Sequence, residues 1–197
     1  MSLWASGCGL HGRLGFGDSH SRMGFERVGT VELFSHVAAG STHNVAVTEN
    51  GRLYTWGQGL EFQLGHGTID NHSRPTVVSS MLHTRVKLVC AGKDCSACVD
   101  EEGRLYTWGD GSHGKLGHGT TACVPIPTRV DHGLADCKVI EVVMGENHSL
   151  IATDDGRVMV CGCGIGGILG LNDEEDRLVF TEIPALRDKR VKCLAAG

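Results

Sequence analysis

Apolar and polar side chains alternate along this chain with the period of strands. His43 to Thr48 (HNVAVT) alternates, Glu49-Asn50-Gly51 interrupts, and Arg52 to Trp56 (RLYTW) alternates again, which predicts two antiparallel strands joined by a tight hairpin. Asn50-Gly51 supplies the positive φ that such a hairpin needs, and Glu102-Gly103 and Asp155-Gly156 take its place in later copies. A β-branched strand runs ahead of the hairpin, Val86 to Ala91 (VKLVCA) in one copy and Lys138 to Val143 (KVIEVV) in the next. A further extended piece precedes that, Pro75 to Val78 (PTVV) or Pro127 to Val130 (PTRV). A βαβ unit would need a helical segment of about ten or more residues in each copy, and the pattern contains none.

The pattern repeats. SLWASG, RLYTWG, RLYTWG and RVMVCG end at Gly7, Gly57, Gly109 and Gly162, spaced 50, 52 and 53 residues apart. A second marker, Ala38-Ala39-Gly40, Cys90-Ala91-Gly92, Val143-Met144-Gly145 and Ala195-Ala196-Gly197, keeps spacings of 52, 53 and 52. A third is the turn RLGFG, QLGHG, KLGHG and ILGLN, starting at Arg13, Gln63, Lys115 and Ile168. Three markers in step over the whole chain define a unit of about 50 residues with four short strands, the signature of a β-propeller blade.

Composition agrees with many tight turns. Gly accounts for 29 of 197 residues, about twice the usual share, while Pro is only 4. The 18 Lys+Arg against 23 Asp+Glu leave a net charge of −5, which argues against electrostatic gripping of nucleic acid. The longest apolar stretch, Val160 to Leu171, is too short and too glycine-rich to span a membrane, and the first residues lack a secretory pattern. Nine cysteines at irregular spacing predict reduced thiols and a cytoplasmic or nuclear setting.

Leu-Tyr-Thr-Trp-Gly-x-Gly, then Leu-Gly-His-Gly, then Ala-Gly-x-x-His, then a short Asn/Asp-Gly-like hairpin resembles the repeats of the regulator of chromosome condensation family. The resemblance covers essentially the whole chain. Kelch repeats would show paired glycines with separated Tyr and Trp, and WD40 units would end strands in Trp-Asp. It implies an all-β, seven-bladed propeller with four-stranded antiparallel blades, of which 1–197 is a single partial domain with joints near 7, 57, 109 and 162. About three to four blades fit this length, whereas seven would need roughly 350 residues. The chain also stops at Gly197 within a motif, so the expectation is a fragment, an incomplete ring whose open flanks favour self-association.

Candidate chemistry yields mostly to the repeat. Gly7-x-Gly9-x-x-Gly12, Gly109-x-Gly111-x-x-Gly114 and Gly162-x-Gly164-x-x-Gly167 fit a dinucleotide fingerprint, but no helix can start after them to face a pyrophosphate. Cys90, Cys95, Cys98 and Cys161-x-Cys163 suggest zinc. Cys95 and Cys98, three apart on a strand, must point to opposite faces, so small buried hydrophobes are expected and no metal site. His66 and His118 recur in the Leu-Gly-His-Gly turn, where a turn-pinning hydrogen bond is expected. Tyr54, Trp56, Tyr106 and Trp108 are expected to pack between blades, and Asp173 to Asp176 to form a solvated acidic loop. No catalytic constellation and no cofactor are expected.

The loop between the glycine marker and the hairpin strand varies in charge while its flanks do not: Ser41-Thr42-His43, Lys93-Asp94-Cys95 and Glu146-Asn147-His148. In exchange factors of the family, acidic and His residues of this loop face the GTPase. The resemblance thus implies partner-binding residues His43, Asp94, Glu146, Asn147 and His148, with Cys95 departing from the pattern. It implies a protein-interaction scaffold, such as a module of a ubiquitin ligase or a kinase-associated protein. The alternative is a guanine-nucleotide exchange factor for a Ran-type small GTPase. An ultraviolet sensor would need clustered tryptophans, and two of the three Trp here sit in blade-packing slots.

Overall fold

In the computed structural model, which describes residues 2–134, 137–187 and 189–197, fourteen strands form four antiparallel sheets. The first sheet has two strands, β1 (Trp4–Gly7) and β2 (Arg22–Arg27). The second is built in chain order from β3 (Phe34–Ala39), β4 (His43–Thr48), β5 (Leu53–Gly57) and β6 (His72–Val77). The third comprises β7 (Val86–Ala91), β8 (Cys95–Asp100), β9 (Leu105–Gly109) and β10 (Val124–Arg129). The fourth comprises β11 (Val139–Met144), β12 (His148–Thr153), β13 (Val158–Gly162) and β14 (Arg177–Glu182). The result is three complete blades and a two-stranded part of another, and the sheets do not close into a ring. Helical geometry among the described residues is confined to single three-residue 3-10 turns such as Leu10–Gly12 and Ser112–Gly114, so no helix is long and apolar enough to cross a membrane.

The first strands of successive blades, β3, β7 and β11, lie against one another. The glycine marker ends each of them because the blades come too close there for a side chain. A Cβ on Gly92 would lie 2.8 Å from the carbonyl oxygen of Gly145 in the next blade and 2.8 Å from Cys95 Sγ. At the other end of the blade the strands are joined by four-residue loops, with positive φ at Gly51 (81°), Gly103 (83°) and Gly156 (90°) and not at Asn50. Thr48 Oγ1 accepts from Arg52 N at 3.0 Å, which widens the connection beyond the two-residue turn that Asn-Gly suggests.

The outermost strands start earlier than the β-branched runs indicate. β6 begins at His72 and β10 at Val124, three residues ahead of the expected pieces in each case (75 − 72 and 127 − 124). Pro75, Pro125 and Pro127 are accommodated because β6 and β10 are edge strands, where a missing N–H costs no ladder bond. β11 is displaced by one residue from the expected 138–143.

The cores lie between blades. Val45, Val47 and Leu53 of one blade pack with Val86, Cys98 and Trp108 of the next. Cys95 and Ala97 of that blade pack with Met144, Ile151 and Cys161 of the one after. Cys95 and Cys98 thus enter different cores on opposite faces of β8, as small hydrophobes. Burial raises the Cys95 thiol to about 12. The two-stranded sheet exposes Trp4, Met23 and Phe25.

Candidate partner-binding face

At each seam one carbonyl of the preceding blade accepts two side-chain donors from the next, close to where the loops start. The oxygen of Arg13, between β1 and β2, accepts from Asn44 Nδ2 (2.7 Å) and Trp56 Nε1 (3.0 Å). The oxygen of Gln63 accepts from Ser96 Oγ (2.8 Å) and Trp108 Nε1 (2.9 Å). The oxygen of Lys115 accepts from Ser149 Oγ (2.7 Å) and, where a tryptophan would stand, from Cys161 Sγ (3.3 Å). The carbonyl position is preserved while the donor changes from indole to thiol.

The Leu-Gly-His-Gly turns are held as expected. Thr55 Oγ1 donates to Leu64 O at 2.7 Å and meets His66 Nε2 at 3.0 Å. Thr107 Oγ1 donates to Leu116 O and meets His118 Nε2, both at 2.8 Å. In the last copy Val160 and Leu171 fill the Thr and His slots, exchanging a polar pin for an apolar contact in the same cluster.

Three loops stand on this frame at one end of the blades. Gln58 N donates to Thr42 O, Asp110 N to Asp94 O and Cys163 N to Asn147 O, at 2.8–3.0 Å, so each loop is tied to the strand end beside it. Together with the strand ends they border a groove of about 410 Å³ that Ser41, Lys93 and Glu146 line. Lys93 Nζ and Glu146 Oε1 form an ion pair at 2.5 Å across two blades. The hydrogen bond from Lys93 holds the exposed Glu146 carboxyl below its ordinary range. Behind Glu146, the Lys115 ammonium, 2% exposed, donates to Asp110 Oδ2 (2.6 Å) and to Glu146 O (3.0 Å). Burial alone would raise the Asp110 carboxyl, but hydrogen bonds from Lys115 and Ser112 outweigh it and hold the group low.

The five expected site residues do not share one situation. Glu146 is exposed, Asp94 and Asn147 are partly buried, and His148 is partly buried with its pKa lowered by burial. Asp94 and Glu146 also occupy successive loop positions rather than the same one, because Glu146 follows Gly145 directly whereas Lys93 separates Asp94 from Gly92. His43 lies inside the body, 1% exposed, with Nε2 2.8 Å from Ser96 Oγ of the next blade. Lys93 and Lys115 are absent from the sequence-derived set. The signal for Lys93 was the opposite charge of Glu146 in the same slot of the next copy; Lys115 gave none, because Arg13 and Gln63 fill its slot elsewhere.

Asp173 to Asp176 is also more than a solvated loop. Asp173 Oδ2 pairs with Arg177 at 2.6 Å, as Asp18 does with Arg22 at 2.8 Å in the first copy. Asp176 Oδ1 accepts from Gly164 N at 2.9 Å, the task that Asn71 performs for Gly59. The two glutamates between them are exposed.

Burial lowers the His43 pKa to about 4, only partly opposed by a hydrogen bond with the Cys95 backbone. The unfolded chain takes up this proton near pH 6.5 and the folded chain only near 4, so stability falls as pH drops through that window. About 2 kcal/mol should be lost at this site between pH 7 and pH 5. Urea denaturation of wild type and His43→Asn at both pH values measures it. The gap between the two proteins should narrow at pH 5, and a constant gap would mean that the imidazole is not kept neutral by the fold.

Radially seamed four-stranded blades, each carrying a loop of its own charge over a common frame, define a repeat-built β-propeller. The chain belongs to the regulator of chromosome condensation family: the family model "Regulator of chromosome condensation (RCC1) repeat" matches residues 50–99 and 102–152, and a second model of that description matches 34–63. It is 34% identical over 206 residues to the E3 ubiquitin-protein ligase HERC2 of Homo sapiens, covering 99% of this chain and 4% of that protein. It is 34% identical over 164 residues to the Ultraviolet-B receptor UVR8 of Arabidopsis thaliana, covering 82% of this chain and 37% of the receptor. The solved structure of Prp20p from Saccharomyces cerevisiae, described with its binding to Gsp1p and histones, superposes with a TM-score of 0.87 at 22% identity, over all of this chain and 50% of that one. The chain thus spans half or less of these relatives.

Proposed function

We propose that this chain is a protein-interaction module that engages a partner in the cytoplasm or nucleus through the loops at one end of its blades. Asp94, Glu146 and Asn147 make the contacts, His148 supports them at the loop base, and His43 braces the seam from within. The observation carrying this reading is that three equivalent loops rest on nearly interchangeable frames yet differ in charge, from Ser41-Thr42 to Lys93-Asp94 to Glu146-Asn147, around one groove. A regulatory or interaction role is what the family relatives support. Guanine-nucleotide exchange on a Ran-type small GTPase is the finer alternative, favoured by the described binding of Prp20p to Gsp1p.

One experiment separates them. The chain is incubated with a panel of small GTPases loaded with a fluorescent guanine nucleotide, and binding and nucleotide release are read independently. Binding that Glu146→Lys weakens at least tenfold, without faster release, is the expected result for the scaffold. Faster release would establish exchange instead. Binding insensitive to Glu146→Lys but abolished by Glu101→Lys, at the opposite blade end, would overturn the assignment of the face.

A further inference from the structure

We propose that His113 Nδ1, Cys163 Sγ and a carboxylate oxygen of Asp176 form a divalent-metal site of zinc type at the seam between the second and third complete blades. The sequence offers no such set, because the three donors lie 13 to 63 positions apart (176 − 163 and 176 − 113). In the fold these ligand atoms lie within 4.8 Å of one another. Imidazole, thiolate and carboxylate are the donors zinc accepts, and three protein ligands leave a fourth position for water or another group. Cys163 is buried at the base, while the side chains of His113 and Asp176 are each 39% exposed at the rim, so the fourth position faces solvent.

The set is held in place from outside. Asp176 Oδ1 is occupied by Gly164 N at 2.9 Å, which leaves Oδ2 to meet His113 Nδ1 at 2.9 Å. Cys163 N is tied to Asn147 O, and His113 sits at φ 58° in the 3-10 turn Ser112–Gly114. Binding replaces the proton between Nδ1 and Oδ2, which moves to Nε2 in the other imidazole tautomer, and expels the thiol proton of Cys163. One proton is therefore released per ion.

The earlier seams serve as internal controls. Their matching slots hold His11, Gln58 and Asn71, a set without thiol or carboxylate, and Glu61, Asp110 and Cys123, where Lys115 occupies the Asp110 carboxylate. Only at the third seam, among the described residues, do three ligand types converge.

The test titrates the reduced, metal-free chain with Co(II). The expected result is a thiolate-to-cobalt charge-transfer band that saturates at one equivalent, with tetrahedral visible bands, both erased by Zn(II). Asp176→Asn is the informative variant, since an amide caps the matching glycine in the Asn71 copy and the fold is preserved. It and Cys163→Ser should each weaken binding at least about tenfold, whereas Cys8→Ser, in the same slot of the first repeat, should not. Absence of a saturating band, or a band that survives Cys163→Ser, would overturn the proposal. Unchanged affinity in Asp176→Asn with an unchanged urea midpoint would also do so.

Discussion

Trp108→Ala should cost about 3–5 kcal/mol of stability, the range for emptying a fully buried aromatic site. The indole is 0% exposed and packs in one cluster with Val45, Val47 and Leu53 of the neighbouring blade, so its loss opens a void across a seam and not within a single sheet. Its Nε1 also donates to Gln63 O. That carbonyl keeps Ser96 Oγ at 2.8 Å, so the hydrogen bond adds only about 1 kcal/mol and the cavity dominates. Trp108→Phe should accordingly retain most of the stability. Urea denaturation followed by near-ultraviolet circular dichroism measures both. Trp4→Ala, half exposed on the first sheet, is the comparison and should change stability by less than about 1 kcal/mol. A Trp108→Ala loss equal to that of Trp4→Ala would mean that the blades are not held together through this seam.

Lys115→Met should destabilise by about 2–3 kcal/mol and, on the proposed function, weaken partner binding at the Glu146 loop. Removing one member of a fully buried pair costs about 3–5 kcal/mol because the other charge is stranded. Here the ammonium is 2% exposed but Asp110 is 24% exposed, and Ser112 N and Oγ still reach its carboxylate at 3.0 and 2.7 Å, so the cost falls below that range. The functional consequence follows from the second bond. Lys115 Nζ is the donor that fixes Glu146 O, and through it the position of the loop. Replacing both charges, in Asp110→Leu with Lys115→Met, should recover much of the stability while leaving the loop unanchored. The double variant therefore separates a stability effect from a positioning effect, with urea midpoints reading the first and affinity for the partner the second. Full recovery of both would show that the pair serves stability alone.

The blade was legible in the amino-acid order because its determinants are local. Alternation in HNVAVT and RLYTW, turn glycines at Gly51 and Gly103 and markers every 50 to 53 residues all act over a few neighbouring positions, and copying amplifies them. That Cys95 and Cys98 leave β8 on opposite faces also follows from strand period alone. The edge strands begin ahead of the runs that start at Pro75 and Pro127, because at a sheet edge neither these prolines nor Pro125 has to donate to a ladder.

The site was less legible, since its chemistry is made between copies. Nothing near His43 announces that Ser96, 53 residues on, will enclose it, and the same separation joins Lys93 to Glu146. A repeat sequence determines what each blade is and which loop it carries, because those properties depend on neighbours along the chain. Which side chains are buried, which charges pair and which donors converge at a seam were decided only when consecutive blades packed. That packing brings side chains about one period apart within bonding distance and removes water from between them.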